Sequence, residues 1–474
     1  MKYNIRHTIL ILPLLTFTIS CGTYNQSIDK FYKGIKEERY EEANNILDKN
    51  KLLKASRNKL LFLLEKGKVL FLLGKYDESN NALNEADNLI EAQNKTLGDI
   101  AISTAVNPMV DRYHAADFEK FMIHYYKALN YLFLNNIEDA VVEARRISIQ
   151  TNALGDEKAN KTNKYSKDAF SLIIQGLIYE ASNDINNAFI SYRNAVDTYL
   201  EQKNHYWYGV KLPEQLVTDV LDLSLENGFY SDYEYIAKKL DRPITNKISR
   251  SKSKGGDLII FFENGLGPVK DQQEFFFTLV RGVGGNFYFK DDSGALNIPV
   301  IIPLSANDNI NLNDIQTFRL AFPKWVEQEP PIKRASVKLN NHNYQFEKIE
   351  DINVLASELF KEKFLSEATE ALSRLLVKKL AEYGVKSIGK KENNDIFMAA
   401  AAAIQLYSLI SEKADTRNWQ TLPAEISYVR IPLNLGENKI TVSLTNNNGL
   451  IEDRELTINS INSKLKFYSF SIFH

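Results

Sequence analysis

The chain has 474 residues, 44% of them hydrophobic and 25% charged, which is an ordinary globular balance and enough for two or three domains. A net charge of -2 provides no general field for nucleic acid. The only cysteine is Cys21, which excludes intrachain disulfides, CxxC redox motifs and multi-thiolate metal sites.

The first twenty residues read as a secretory signal. Lys2 and Arg6 make a basic start, Ile9-Leu10-Ile11-Leu12-Pro13-Leu14-Leu15 an apolar run, and Thr18-Ile19-Ser20 leads into Cys21. The run is shorter than the roughly 20 apolar residues of a membrane span. Residues 1–20 are therefore expected to be removed and Cys21 to carry lipid as the new N-terminus. Acyl chains would anchor it at about 0.8 kcal/mol per buried CH₂. Thr18 departs from the leucine favoured three residues before such a cysteine. The competing reading is an ordinary signal peptide with an incidental cysteine. Gly22, rather than aspartate, directs the expectation to the periplasmic face of the outer membrane.

Residues 21–245 are expected to form an all-α domain of tetratricopeptide-like repeats. Gly74-Lys75-Tyr76-Asp77-Glu78-Ser79 joins an apolar helix, Leu60 to Leu73, to one carrying Ala82 and Ala86. Small residues at such positions let paired helices approach. Similar units surround Arg39-Tyr40-Glu41-Glu42-Ala43, Asn135-Asn136-Ile137, Asn183-Asp184-Ile185 and Gly228-Phe229-Tyr230. The offset from Tyr40 to Tyr76 is 36 residues, near the repeat length of about 34. Later offsets are longer, which points to insertions at Asn94–Met109 and Asn152–Tyr165. A generic helical bundle is the alternative. The aromatic residues Tyr125, Tyr126 and Tyr131 are candidate partner-binding groups on this surface.

Residues 246–256 read as a polar Ser/Lys/Gly linker. Residues 257–474 are expected to be an α+β domain rich in antiparallel strands. The run Leu258-Ile259-Ile260-Phe261-Phe262 has strand length and no alternation. Further strands are predicted at Glu274–Arg281, Ile298–Pro303, Thr317–Phe322, Ala335–Leu339 and Tyr344–Glu347. The last two form a hairpin around Asn340-Asn341-His342-Asn343. One long or broken helix is predicted over 351–386 and a second helix over 394–414. Four closing strands follow, near Glu425–Pro432, Asn438–Leu444, Glu452–Ile458 and Leu465–Phe473, with a turn at Asn446-Asn447-Asn448-Gly449.

Three stretches carry a resemblance. They are Tyr113–Lys120 running into His124–Leu132 and Val142–Arg146; Glu263-Asn264-Gly265-Leu266-Gly267-Pro268-Val269-Lys270; and Glu412-Lys413-Ala414-Asp415-Thr416-Arg417-Asn418-Trp419-Gln420-Thr421-Leu422-Pro423. With the cysteine signal they resemble an uncharacterised family of bacterial lipoproteins with tetratricopeptide-like repeats. The resemblance implies no activity and no cofactor. It does imply the peptidoglycan-synthesis machinery as a partner class.

Other candidate chemistry is sparse. His114, Asp117 and His124 fall at spacings of 3 and 7, suited to one helix face and a zinc site, but no fourth ligand is evident. The Arg281–Asn286 stretch lacks the Lys-Ser/Thr of a phosphate-binding loop. Glu263 and Lys270 read as flanks of a turn. Asp415 and Arg417, two apart, are not expected to face each other at a helix end, and Trp419 is expected to plug a core there. Asp415, Arg417 and Trp419 are also the candidate partner pocket of the second half. The chain thus reads as a non-enzymatic, lipid-anchored periplasmic scaffold that binds envelope proteins or peptides, without catalytic residues, metal or cofactor. The alternative is a periplasmic enzyme or glycan-binding protein acting on peptidoglycan or polysaccharide.

Overall fold

The computed structural model describes residues 24–97, 111–156, 167–245, 248, 253–281, 287–294, 296–300, 317–392 and 414–474. The signal segment and Cys21, most of the two expected insertions, the glycine stretch 282–286 and nearly all of the expected helix 394–414 lie outside these residues.

Among the described residues, ten α-helices pair into five hairpins along the first half. They are α1 (Tyr24–Lys36) with α2 (Tyr40–Lys49), α3 (Lys59–Leu72) with α4 (Tyr76–Leu97), α5 (Asp117–Phe133) with α6 (Ile137–Asp156), α7 (Ala169–Ala181) with α8 (Ile185–Leu200), and α9 (Glu214–Glu226) with α10 (Tyr230–Lys239). One device closes all five. The second residue past the first helix has a left-handed backbone: Glu38, Gly74, Asn135, Asn183 and Gly228, with φ between 54° and 74°. The next amide then reaches back to a carbonyl five residues earlier, as in Arg39 to Gly34, Lys75 to Leu70, Asn136 to Tyr131, Asp184 to Tyr179 and Phe229 to Ser224, at 2.8–2.9 Å. This Schellman arrangement satisfies the helix-end carbonyls and turns the chain in three residues.

Each helix packs on the next, and α5 also touches both α3 and α7. Ala128, Ala140 and Ala188 are fully buried. Gly176 lies so close to Tyr192 that a Cβ there would stand 2.3 Å from its ring. A two-stranded ribbon, β1 (Tyr206–Trp207) with β2 (Val210–Lys211), interrupts the helices before α9.

The described residues of the second half build three four-stranded sheets. The central one is ordered β10 (Glu347–Asp351), β11 (Pro423–Pro432), β3 (Asp257–Leu266), β14 (Lys466–Ile472), with β14 parallel to β3 and the other pairs antiparallel. The outer sheet is wholly antiparallel: β13 (Ile451–Ser460), β12 (Gly436–Asn446), β8 (Ile332–Leu339), β9 (His342–Gln345). The third, also antiparallel, runs β6 (Asn297–Val300), β5 (Phe287–Asp291), β4 (Val269–Arg281), β7 (Thr317–Val326), and packs on α11 (Ile352–Glu392) through Phe277, Phe318, Phe322, Ala368 and Leu372.

The central sheet explains the unbroken apolar run in β3. Leu258, Ile260 and Phe262 face the outer sheet, against Val337 and Val442. Ile259 and Phe261 face the helices and share a core with Leu64, Tyr125 and Ile173. A strand covered on both faces shows no alternation. The largest core therefore crosses the expected boundary at 246–256. The described end of that stretch is packed rather than a free linker: the Leu433 amide donates to the Gly256 carbonyl at 2.8 Å, and a Cβ on Gly255 would meet the Leu433 carbonyl.

A buried ionic seam as the candidate functional site

The face between the helices and the central sheet is rich in charge. Helix α3 is buried on nearly all sides, and it carries Glu65 and Lys68, both without solvent exposure. Buried charges need partners, and the strands supply them. Lys68 pairs with Glu263 of β3, itself fully buried. Tyr126 of α5 donates to the same carboxylate at 2.8 Å, and Ser471, beside Glu263 on the parallel neighbour β14, donates at 2.6 Å. The Lys68 ammonium also lies 4.3 Å from the centre of the Tyr126 ring. Burial draws its pKa down, and the Glu263 charge opposes that.

Glu65 accepts three hydrogen bonds, from the Tyr32 hydroxyl at 2.6 Å, the Gln420 amide at 3.0 Å and the Thr421 hydroxyl at 2.5 Å. Burial pushes its carboxyl from an ordinary 4.5 up to about 7, against the pull of those three donors. Glu119, in the first turn of α5, accepts from the Ala116 amide at 2.7 Å and the Tyr113 hydroxyl at 2.6 Å, so it also closes its own helix end. Its other oxygen accepts the Trp419 amide at 2.8 Å. The segment before β11 thus presents two successive amides to two helix carboxylates.

The Trp419 ring is buried beside Tyr126, with its indole N–H on the Thr421 hydroxyl at 3.0 Å. It plugs a core, as expected, and what it meets there is helix α5 of the first half. Arg417 is 1% exposed. It forks onto Asp415 at 2.8 and 2.6 Å and reaches Asn58 at 2.8 Å and the Asp111 carbonyl at 3.0 Å. Asp415 and Arg417 therefore do face each other, contrary to expectation. Residues 415–418 are not helical, and a non-helical turn brings positions two apart together.

Farther along, Arg430 of β11 is enclosed by three carboxylates. Glu180 of α7 takes it in a bidentate pair at 3.0 and 2.7 Å, Asp219 of α9 lies at 3.2 Å and Asp257 of β3 at 3.0 Å. Burial works against the guanidinium charge, but Asp219 and Glu180 outweigh it and hold the pKa well above its usual value. Tyr192 donates to Glu180 at 2.9 Å, which links this knot to the close contact at Gly176. Nearby, the α7 cap Asp168 and Glu350 of β10 are both buried. Burial raises Asp168 to about 6 and Glu350 well above its usual value, with the Asp168 charge adding to the latter.

Several expectations are corrected here. Tyr125, Tyr126, Arg417 and Trp419 are enclosed between helices and sheet, so they bind the molecule to itself and offer no surface to an outside partner. Tyr131 is half-buried on α5, and the half-buried Asp415 is held by Arg417. Glu263 belongs to the core ion pair rather than to a turn; Lys270 lies over the Trp325 ring. The His114, Asp117 and His124 spacing does not converge. His114 precedes α5, Asp117 holds Lys363 at 2.8 Å, and His124 Nδ1 faces Glu143 at 2.8 Å. No cluster of three or more His, Cys, Asp or Glu suited to a metal occurs among the described residues.

Glu180, Asp219, Glu263 and Arg430 went unread as seam residues because each looks ordinary in sequence. The usable signal was context: Glu65 and Lys68 sit within Leu60–Phe71, and Arg430 lies between Val429 and Ile431. A charge embedded in an apolar element announces a buried partner. No protein-family model matches the chain, and no curated protein is detectably similar to it.

Proposed function

We propose that the chain is a lipid-anchored scaffold of the bacterial envelope, built on tetratricopeptide-type hairpins and held to the periplasmic face of the outer membrane through Cys21. The observation that carries this reading is the seam. The helix face on which Lys68, Glu119, Tyr126 and Glu180 lie is occupied by the chain's own strands. Charges are committed there to joining helices and sheet. A body joined in this way serves as a rigid spacer, and its partners dock on outward surfaces. Envelope proteins, with the peptidoglycan-synthesis machinery among them, are the proposed partners.

The test combines fractionation with capture. Cys21→Ala should move the protein out of the membrane fraction, and crosslinking in cells should recover a defined envelope protein with the wild type only. Membrane retention of Cys21→Ala in detergent-free buffer would overturn the anchor. Binding to purified peptidoglycan sacculi with release of soluble fragments would replace the scaffold by the enzymatic alternative.

A further inference from the structure

The edges of the three large sheets differ in how they are protected. The outer edge of β13 carries Glu452, Asp453, Arg454 and Glu455. Strand β10 carries Glu347, Lys348, Glu350 and Asp351; β7 has Arg319, Pro323 and Lys324; β6 has Pro299; and β9 is four residues long. Charge, proline and shortness all block the addition of another strand. Strand β14, Lys-Phe-Tyr-Ser-Phe-Ser-Ile, has none of these after Lys466. It bonds to β3 on one side, and among the described residues no strand pairs with its other side. Residues 466–471 are each partly exposed.

The chemistry of β14 also reads alike in both directions about Phe470. Within the strand, Ser469 mirrors Ser471 and Tyr468 mirrors Ile472. An antiparallel copy centred on Phe470 would set Phe470 beside Phe470, hydroxyl beside hydroxyl and apolar beside apolar. Cross-strand pairs of these kinds stabilise a sheet. The faces agree with this register. Tyr468, Phe470 and Ile472 all lie on the side packed against the outer sheet, so pairing would extend one apolar stripe across the dyad. Such an interface is isologous and closes at two copies.

We propose that β14 is a self-association edge: two copies of this chain pair antiparallel through Tyr468–Ile472, centred on Phe470, and join their central sheets into one of eight strands. This stands independently of the proposed envelope role. The test uses the full chain purified in mild detergent. Light scattering across a dilution series should show a dimer that dissociates. Hydrogen exchange on the wild type should show added protection of backbone amides within 466–472 at high concentration, with β13 unchanged. Phe470→Cys should give a reducible dimer on mild oxidation, whereas Glu455→Cys on β13 should not. A monomer at every concentration overturns the proposal. So does a dimer whose concentration-dependent protection falls outside β14, and this wild-type readout stands even where Phe470→Cys fails to fold.

Discussion

At the scale of single residues, the seam turns on side chains whose burial makes them sensitive to small changes. The Trp419 ring is 1% exposed. Trp419→Ala removes it from contact with Tyr126 and should cost about 3–5 kcal/mol, read as a fall in the denaturant midpoint without a change of slope. Arg417→Lys should also destabilise measurably, because the guanidinium serves Asp415, Asn58 and a backbone carbonyl in one plane. Glu65 supplies a pH dependence. Its folded value of about 7 lies above the ordinary 4.5, so the folded state holds the proton more tightly than the unfolded chain does. The stabilisation is complete below pH 4.5 and is lost as pH rises through about 7. The Glu65 share of this loss is roughly 3 kcal/mol at about 1.4 kcal/mol per unit. Asp168 acts with the same sign over a lower window, from 3.8 to about 6. Unfolding free energy measured from pH 4.5 to 7.5 should therefore fall more steeply in the wild type than in Glu65→Gln. Parallel profiles would remove Glu65 from this role.

At the scale of elements, the hairpins are defined by their turns and close contacts. Gly74 has φ +70° with no atom within 4 Å of a built Cβ. Gly74→Ala should therefore cost only the left-handed backbone penalty, roughly 1–2 kcal/mol. Gly176→Ala tests crowding instead. Its Cβ would press on Tyr192, whose hydroxyl holds Glu180 against Arg430. A loss of about 1–3 kcal/mol is expected, visible in thermal unfolding of the full chain. The turns were legible in the sequence because Gly74, Asn135, Asn183 and Gly228 are residues that tolerate positive φ. Glu38 gave no such signal. Strand β3 was legible through its unbroken apolar run, and β8 with β9 through the Asn340-Asn341 turn. The helix predicted over 351–386 is continuous over Ile352–Glu392. The turn around Asp415–Arg417 was misread, since no local rule distinguishes an irregular segment stabilised by distant Asn58 and Asp111 from a helix end.

At the scale of the whole molecule, sequence reading separated two halves that the fold unites. The composition shift near 246–256 is real, but composition carries no information on what packs against what. Lys68 and Glu263 are 195 residues apart and meet with neither side chain exposed. No periodicity within α3 or β3 specifies that pairing. It follows only once both elements are known to be buried, because each charge then needs an opposite one. The same reasoning makes the pair the most direct test of the central claim, that the helical hairpins and the central sheet are joined through a buried ionic seam. The measurement is a double-mutant cycle on the full chain with Lys68→Met, Glu263→Gln and the two combined. Each single change strands the other partner and should cost about 3–5 kcal/mol. The double variant should recover part of that loss, giving a coupling energy of roughly 1–3 kcal/mol. Additivity of the two changes within about 0.5 kcal/mol would contradict the seam.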